Sequence, residues 1–293
     1  MKGQFISFIK AAIKGVGQIM LQGNIWTGLL FIIATFYGST TMGIAALVSN
    51  IVGTLTAKLL KYEDNDIDFG LYGFNATLVG IALVFYYHQN IWVWVAVIIG
   101  SILSTIFMNW GVKKKIPLFT FPFIAITWIL LYVLGSTGLA EHASPEHFVD
   151  LDGLEDLGVE GHAFGEVMFQ GSIASGIIFF IGVFVSSPIS ALYGLFSIVL
   201  SVFISRRLHE TPELVNDGLL SFNAVLCGIA LAGPRVKDGV YVLIAVFIST
   251  VVDHMMIHSG LITLTFPFVF GTWIVVLLKK AEEKFFPAGQ TLS

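Results

Sequence analysis

FGLYGFNATLVGIAL (69–83) and DGLLSFNAVLCGIAL (217–231) are two copies of one segment, and their relation decides how the chain is built. Ten of the 14 aligned pairs between Gly70/Gly218 and Leu83/Leu231 are identical, and the copies lie 148 residues apart. At that same offset QIMLQGNIWTGLLF (18–31) faces EVMFQGSIASGIIF (166–179), which pairs Gln18 with Glu166, Met20 with Met168 and Gly28 with Gly176. Further along, IPLFTFPFIAITW (116–128) matches LITLTFPFVFGTW (261–273) at an offset of 145. Three motifs in one order at nearly one spacing are an internal duplication.

Around these motifs the composition is that of a chain dissolved in lipid. The 293 residues are 56% hydrophobic and 12% charged, with a mean hydropathy of +0.87. A soluble domain is about 25% charged, and a water-exposed surface built from this composition would aggregate. Nearly uncharged runs occupy 25–57, 69–87, 91–112, 116–140, 167–205, 214–234, 239–252 and 255–278. The runs 25–57 and 167–205 are too long for one straight span and too short for two full ones, since a span needs about 20 residues. The runs at 69–87 and 214–234 carry Gly and Asn, which suits short or broken helices, and such backbone is tolerated at membrane depth only when buried in protein or lining a cavity. The apolar–polar alternation of a membrane barrel is missing. The expected class is therefore all-α, a polytopic membrane protein.

Residues 141–166 hold eight carboxylates and no Lys or Arg. This reads as a solvated linker, giving a first membrane repeat at 1–140, an acidic extracytoplasmic linker at 141–165 and a second repeat at 166–293. With about five crossings per half and Lys2, Lys10 and Lys14 inside, Lys58, Lys61 and Lys113–Lys115 also fall inside. An odd number per half inverts the second copy, and Arg235, Lys237, Lys279 and Lys280 then fall inside as well. Arg206 and Arg207 are the exception and fall outside, near Glu210 and Glu213. Inverted repeats place a transport site near mid-membrane, where broken helices of the two halves meet. The net charge of −4 points to no nucleic-acid partner, and a single cysteine, Cys227, leaves no intramolecular disulfide. The first 15 residues lack the unbroken apolar core of a secretory signal and read as part of the mature protein.

Taken together, the paired Phe-Asn-x-x-Leu-x-Gly-Ile-Ala-Leu segments, the paired Thr-Phe-Pro-Phe segments and the Gln/Glu-x-Met pair resemble the urea transporter family. The resemblance runs over nearly the whole chain except the acidic linker and the tail after Leu278. It implies an inverted-repeat channel for urea, a homotrimer with one pore per subunit, a place among the lipids of a bacterial inner membrane, and no cofactor. Position by position, Gln18 and Glu166 resemble the polar residues at the two mouths of the family's filter. Phe74 and Phe222 resemble its slot phenylalanines, and Thr120 and Thr265 its central pair of threonines. Phe169 matches a further slot aromatic, whereas its repeat mate is Leu21, which implies a wider or softer slot on that side. Ile262 stands where the family's pattern, and the first copy at Pro117, have proline.

Urea offers four N–H donors and one carbonyl acceptor. Stripping such an amide of water uncompensated costs roughly 4–8 kcal/mol on an alkane scale, so a selective pore must supply acceptors in series. Pro117, Pro122 and Pro267 are expected to break helices and free carbonyls, the threonine hydroxyls to accept or donate, and the Phe rings to suit a flat solute while leaving ions unsolvated. Each residue also has a plainer reading. A Phe in so Phe-rich a chain is commonly packing, Asn75 and Asn223 read as structural, and Thr in a helix commonly bonds its own i−4 carbonyl. Glu166 is either one more linker carboxylate or, by its pairing with Gln18, a site residue. His254 and His258 read as interfacial or trimer-contact histidines rather than metal ligands, with pH sensing or metal binding a minor reading for His142, His147 and His162. Nothing suggests an enzyme. Alternatives to a urea channel are a facilitator for ammonia, water or short amides and an ion-coupled secondary transporter, the latter disfavoured by spans nearly empty of charge.

Overall fold

The computed structural model describes residues 2–143 and 158–285. Seven helices in the first part of the chain are followed by seven in the second. The first set is α1 (Lys2–Gly17), α2 (Ile25–Gly38), α3 (Thr40–Leu59), α4 (Asp64–Asp68), α5 (Phe74–Tyr86), α6 (Ile91–Lys114) and α7 (Phe121–Thr137). The second is α8 (Gly158–Glu166), α9 (Ile173–Ser186), α10 (Pro188–Arg207), α11 (Pro212–Asn216), α12 (Phe222–Leu231), α13 (Val236–His258) and α14 (Phe266–Phe285). No strand forms among the described residues, and the class is all-α. The middle of the acidic linker, with His147, lies outside the described residues. Its end does not behave as linker, because α8, the counterpart of α1, already begins at Gly158.

The duplication is visible in the backbone. Left-handed residues recur at the repeat offsets: Leu21 with Phe169 (φ 61° and 59°), Lys61 with His209, Gly70 with Gly218, Lys115 with Gly260, and Phe119 with Leu264 (φ 51° and 46°). Non-glycine residues adopt this region at a cost, so recurrence at matched positions marks turns that the fold needs. Helix starts use ordinary caps. Asn24 accepts from the Trp26 N–H at 2.8 Å, and Asn90 from Trp92 and Val93. Pro188 and Pro212 sit in first turns, where no N–H is missed.

The two halves meet through reciprocal contacts. Thr27 donates to the Gly182 carbonyl at 2.7 Å, and Ser175, the repeat mate of Thr27, donates to Ala34, the repeat mate of Gly182, at 3.0 Å. The start of α2 thus touches the end of α9 and the reverse, so these equivalent helices run antiparallel, as inversion requires. At their crossing Phe31 meets its own repeat mate Phe179 edge to face, 5.0 Å between ring centroids. A pseudo-two-fold axis passes between them. Near the same axis Trp128 donates to the Ile262 carbonyl at 2.8 Å and Trp273 to the Pro117 carbonyl at 2.6 Å, again a matched exchange.

Lengths sort the helices by task. Among the described residues, α3, α6, α10 and α13 are long and apolar enough to cross a membrane, with a fifth span if the pair α1–α2, bent by 75°, is one broken crossing. Their inward faces carry small polar residues, including Ser49, Asn50, Ser101, Ser104, Ser197 and Ser249, and their outward faces Ile51, Leu55, Leu103, Phe196, Val199 and Phe247. A soluble helix would be the other way round; small polar residues between helices and aliphatic ones outside suit lipid. Of the five crossings expected per half, only two are long straight helices. Most of the remainder are short: α5 (13 residues), α7 (17), α9 (14) and α12 (10); α14 has 20 residues, but its last turns carry Lys279, Lys280, Glu282, Glu283 and Lys284. Helix α5 is buried at every residue from Phe74 to Val84. It spans nothing by itself and lies inside the protein, packed by α3, α6 and α7, as α12 is by α10, α13 and α14. The close approach of α1 to α2 depends on Gly28, where a Cβ would stand 2.0 Å from the Ile13 carbonyl oxygen; Gly176 plays the same part against Gly161.

Candidate functional site

Short helices α5 and α12 begin at Phe74 and Phe222, immediately after the left-handed turns at Gly70 and Gly218. The next residue in each is an asparagine that holds the start of a later helix. Asn75 donates to the Phe119 carbonyl at 3.3 Å and accepts from the Phe123 N–H at 3.0 Å. Asn223 repeats both bonds, to the Leu264 carbonyl and from the Phe268 N–H, each at 3.2 Å. It also donates to the buried Asp253 carboxylate at 3.0 Å. The structural reading of these asparagines is therefore the one observed. Each clamps the loop that ends in a threonine.

That clamp sets the threonines. Thr120 and Thr265 immediately precede α7 and α14, just after the left-handed Phe119 and Leu264. The Thr120 hydroxyl makes no capping bond to its own helix. Instead Thr120 Oγ1 and Thr265 Oγ1 lie 2.7 Å apart, hydrogen-bonded to each other and almost wholly buried. Neither sits mid-helix, so bonding to an i−4 carbonyl does not arise. The prolines also differ from expectation. Pro122 and Pro267 fall in the first turns of α7 and α14, where proline is compatible with a helix, and they start helices rather than breaking them. The unwound stretches are the residues before them, 115–120 and 259–265.

A cavity of ≈ 250 Å³ reaches this pair from one side. Its wall includes Glu166, Phe169, Phe222 and Thr265, along with Val167, Leu214, Ile257 and residues 261–264 of the unwound stretch. Thr120 joins it through Thr265. Gln18, Leu21 and Phe74 are not in this wall. Gln18 is buried in the turn after α1, where its amide donates to the Phe69 carbonyl at 3.1 Å; Leu21 is 37% exposed; Phe74 is 5% exposed. Leu21 and Phe169 have the same backbone conformation and different side chains, so the two ends of the arrangement are unequal. Glu166 ends α8, and the C-terminal end of a helix disfavours a carboxylate. The fold gains nothing from a charge there, since Gln18 serves at the matching turn.

Phe85 and Tyr86 also wall the cavity, and the sequence reading passed over them. Both pack on Phe169, with ring centroids at 5.1 and 6.2 Å. They come from the C-terminal end of α5, so the cavity beside the second half borrows two aromatics from the first. Their repeat mates are Gly233 and Pro234; this local loss of likeness was the available signal. Of the histidines, His142 stacks on Tyr87 at 4.7 Å. Glu210, His254 and His258 form a cluster that could hold a metal ion, outside the cavity wall.

Known proteins give a consistent picture. A family model described as urea transporter matches residues 9–280. Urea transporter 1 of Ovis aries is 25% identical over 308 aligned residues, covering 94% of this chain and 78% of that protein. Urea transporter 1 of Rattus norvegicus is 24% identical over 304, covering 93% and 77%.

Proposed function

Since the chain belongs to the urea transporter family, we propose that it is a passive, selective channel for urea whose path runs past Glu166, between Phe169 and Phe222, to the Thr120–Thr265 pair, and out past Phe74, Leu21 and Gln18. The observation that carries this reading is the buried hydroxyl pair on the pseudo-two-fold axis with a cavity leading to it. Two hydroxyls hold two donors and four acceptor sites between them. Their mutual bond uses one of each, leaving one donor and three acceptor sites for a solute. Bonded to each other, neither hydroxyl is left unpaired, which would otherwise be costly at this burial. Urea arriving from the mouth exchanges water for the Glu166 carboxylate, slides flat against the aromatic faces, and finds acceptors for its N–H groups at the centre. An ion finds no comparable replacement for its hydration.

Transport needs no coupling ion and no cofactor in this reading, and no chemical bond is made or broken. Every residue of the path comes from one chain, so the homotrimer leaves each pore complete in its own subunit, embedded in the lipid of a bacterial inner membrane. The test is solute flux with purified protein in vesicles. Urea uptake should exceed that of glycerol and be indifferent to imposed proton or sodium gradients. Uptake that follows an imposed ion gradient, or equal rates for urea and glycerol, would overturn the reading.

A further inference from the structure

Outside the path, three side chains with metal-ligand chemistry converge on one point. Glu210 comes from the turn between α10 and α11, while His254 and His258 stand one helical turn apart on α13. One ligand atom from each lies within 4.8 Å of the other two. The Glu210 carboxylate touches Nδ1 of His254 and lies 3.3 Å from Nε2 of His258, with the two rings 4.5 Å apart. Its side chain is 1% exposed, whereas His258 is 59% exposed. The carboxylate is sealed among protein atoms and the cluster is open to its surroundings on the imidazole side, at the end of α13.

The duplicated fold supplies an internal control. At the repeat offsets the same three positions of the first half hold Tyr62, Asn109 and Lys113. Those three make a satisfied cluster with no ligand character. Asn109 accepts from the Tyr72 hydroxyl at 3.1 Å, and the Lys113 ammonium lies 5.9 Å from the centroid of the Tyr62 ring. The supporting turn is the same in both halves, with Lys61 and His209 both left-handed. Folding therefore does not require a carboxylate and two imidazoles here, yet the second half carries ligand-type residues at all three positions.

We propose that Glu210, His254 and His258 form a binding site for a divalent transition-metal ion of the Zn²⁺ type. Two imidazoles and a carboxylate suit Zn²⁺, Co²⁺ or Ni²⁺ and are a poor set for Mg²⁺ or Ca²⁺, which want oxygen. Metal–nitrogen bonds of about 2.0–2.1 Å in a tetrahedral site put ligand atoms about 3.4 Å apart, a spacing that small side-chain rotations reach from the present one. Three protein ligands leave the fourth position to water on the exposed side. The bound ion ties the turn before α11 to the end of α13. Leu214 of α11 and Ile257 of α13 both wall the cavity that leads to the threonines, so the site braces one flank of that mouth.

The experiment is titration of tag-free, metal-stripped, full-length protein with Co²⁺, followed by visible absorption, then displacement by Zn²⁺. The expected result is one Co²⁺ per chain with the intense bands of a tetrahedral ion, lost on adding Zn²⁺. His254→Asn and His258→Lys copy the residues of the first half, which that fold accommodates. Each should weaken binding by at least about tenfold, the loss produced even by outer partners of metal ligands. Glu210→Gln, nearly isosteric, gives the same reading should either histidine variant fail to fold. Absence of one-to-one Co²⁺ binding to the parent, or binding that survives in the folded variants, would overturn the proposal.

Discussion

Replacing the central threonines by valine tests the hydroxyl pair most directly, because valine keeps the shape and deletes only the polar atom. The magnitudes follow from the 2.7 Å bond between them. In the parent the pair retains one donor and three acceptor sites for urea; a single threonine left alone has one donor and two acceptor sites. One substitution therefore removes a single acceptor site from the centre, and the survivor, freed from its partner, turns wholly to the solute. The double substitution removes everything. A buried N–H left without a partner costs about 1–3 kcal/mol, and 1.4 kcal/mol is about tenfold in rate. Thr120→Val and Thr265→Val should each lower urea flux by about fivefold, the low end of that range, and by nearly equal factors, since the axis makes the two positions equivalent. The double variant should fall by about a hundredfold, more than the product of the singles. The assay is stopped-flow urea flux in vesicles at matched protein content, with detergent melting profiles to establish folding. Two outcomes refute the reasoning: a double variant with parent-like flux, or single variants differing by more than about tenfold, for which a symmetric pair provides no cause.

At the cavity mouth, Glu166→Gln retains an acceptor oxygen and should keep a substantial part of the flux, whereas Glu166→Val should keep little; equal flux in the two would remove the carboxylate from the path. Asn75→Ala and Asn223→Ala each strip a loop of a buried donor and a buried acceptor, at about 1–3 kcal/mol per orphaned group. Asn223→Ala should lower the melting temperature further because Asp253 also loses a partner, and equal losses would argue against that third bond. Inversion predicts opposite sidedness at repeat-equivalent positions: a cysteine introduced at Lys114 or at Ser259, both exposed whereas the native Cys227 is buried, should react with an impermeant maleimide from opposite faces of the vesicle. Labelling from one face only would contradict the inverted arrangement.

The duplication could be read from the chain because its markers are the residues under the tightest geometric demands. Phe-Asn opens a short helix and supplies the clamp; Thr-Phe-Pro-Phe opens the helix being clamped; the aligned tryptophans exchange carbonyls across the axis. Such residues persist in both copies, so comparing the chain with itself found them. Their partners were not legible. Nothing in a linear sequence states that Asn75 reaches Phe119, or that Thr120 faces Thr265 rather than its own helix. Phe85 and Tyr86 escaped notice for the opposite reason: they serve the other half's cavity and have no counterparts to be aligned with. The prolines misled because proline both ends one helix and begins the next, and only the placement of the left-handed residue before it decides which. In the same way the i, i+4 spacing of His254 and His258 was visible, while Glu210, 44 residues earlier, becomes their neighbour only through packing of α10 against α13.

Unequal ends on a nearly symmetric centre have a consequence for direction. In the proposed path Glu166 and Phe169 stand toward one end and Gln18 and Leu21 toward the other, and it is tempting to see a valve in that difference. For an uncharged solute moving down its own gradient, detailed balance forbids one: at equal concentrations on both sides the two one-way fluxes cancel whatever the shape of the barrier. What the asymmetry can alter is saturation. If Glu166 serves the solute as proposed, the carboxylate side fills at a lower concentration, and the half-saturating concentration measured from that side is expected to be the smaller of the two. A blocking molecule with several N–H donors should likewise act more strongly when added there. The chain is thus a two-way conduit with distinguishable ends, and its polarity shows in occupancy rather than in net movement.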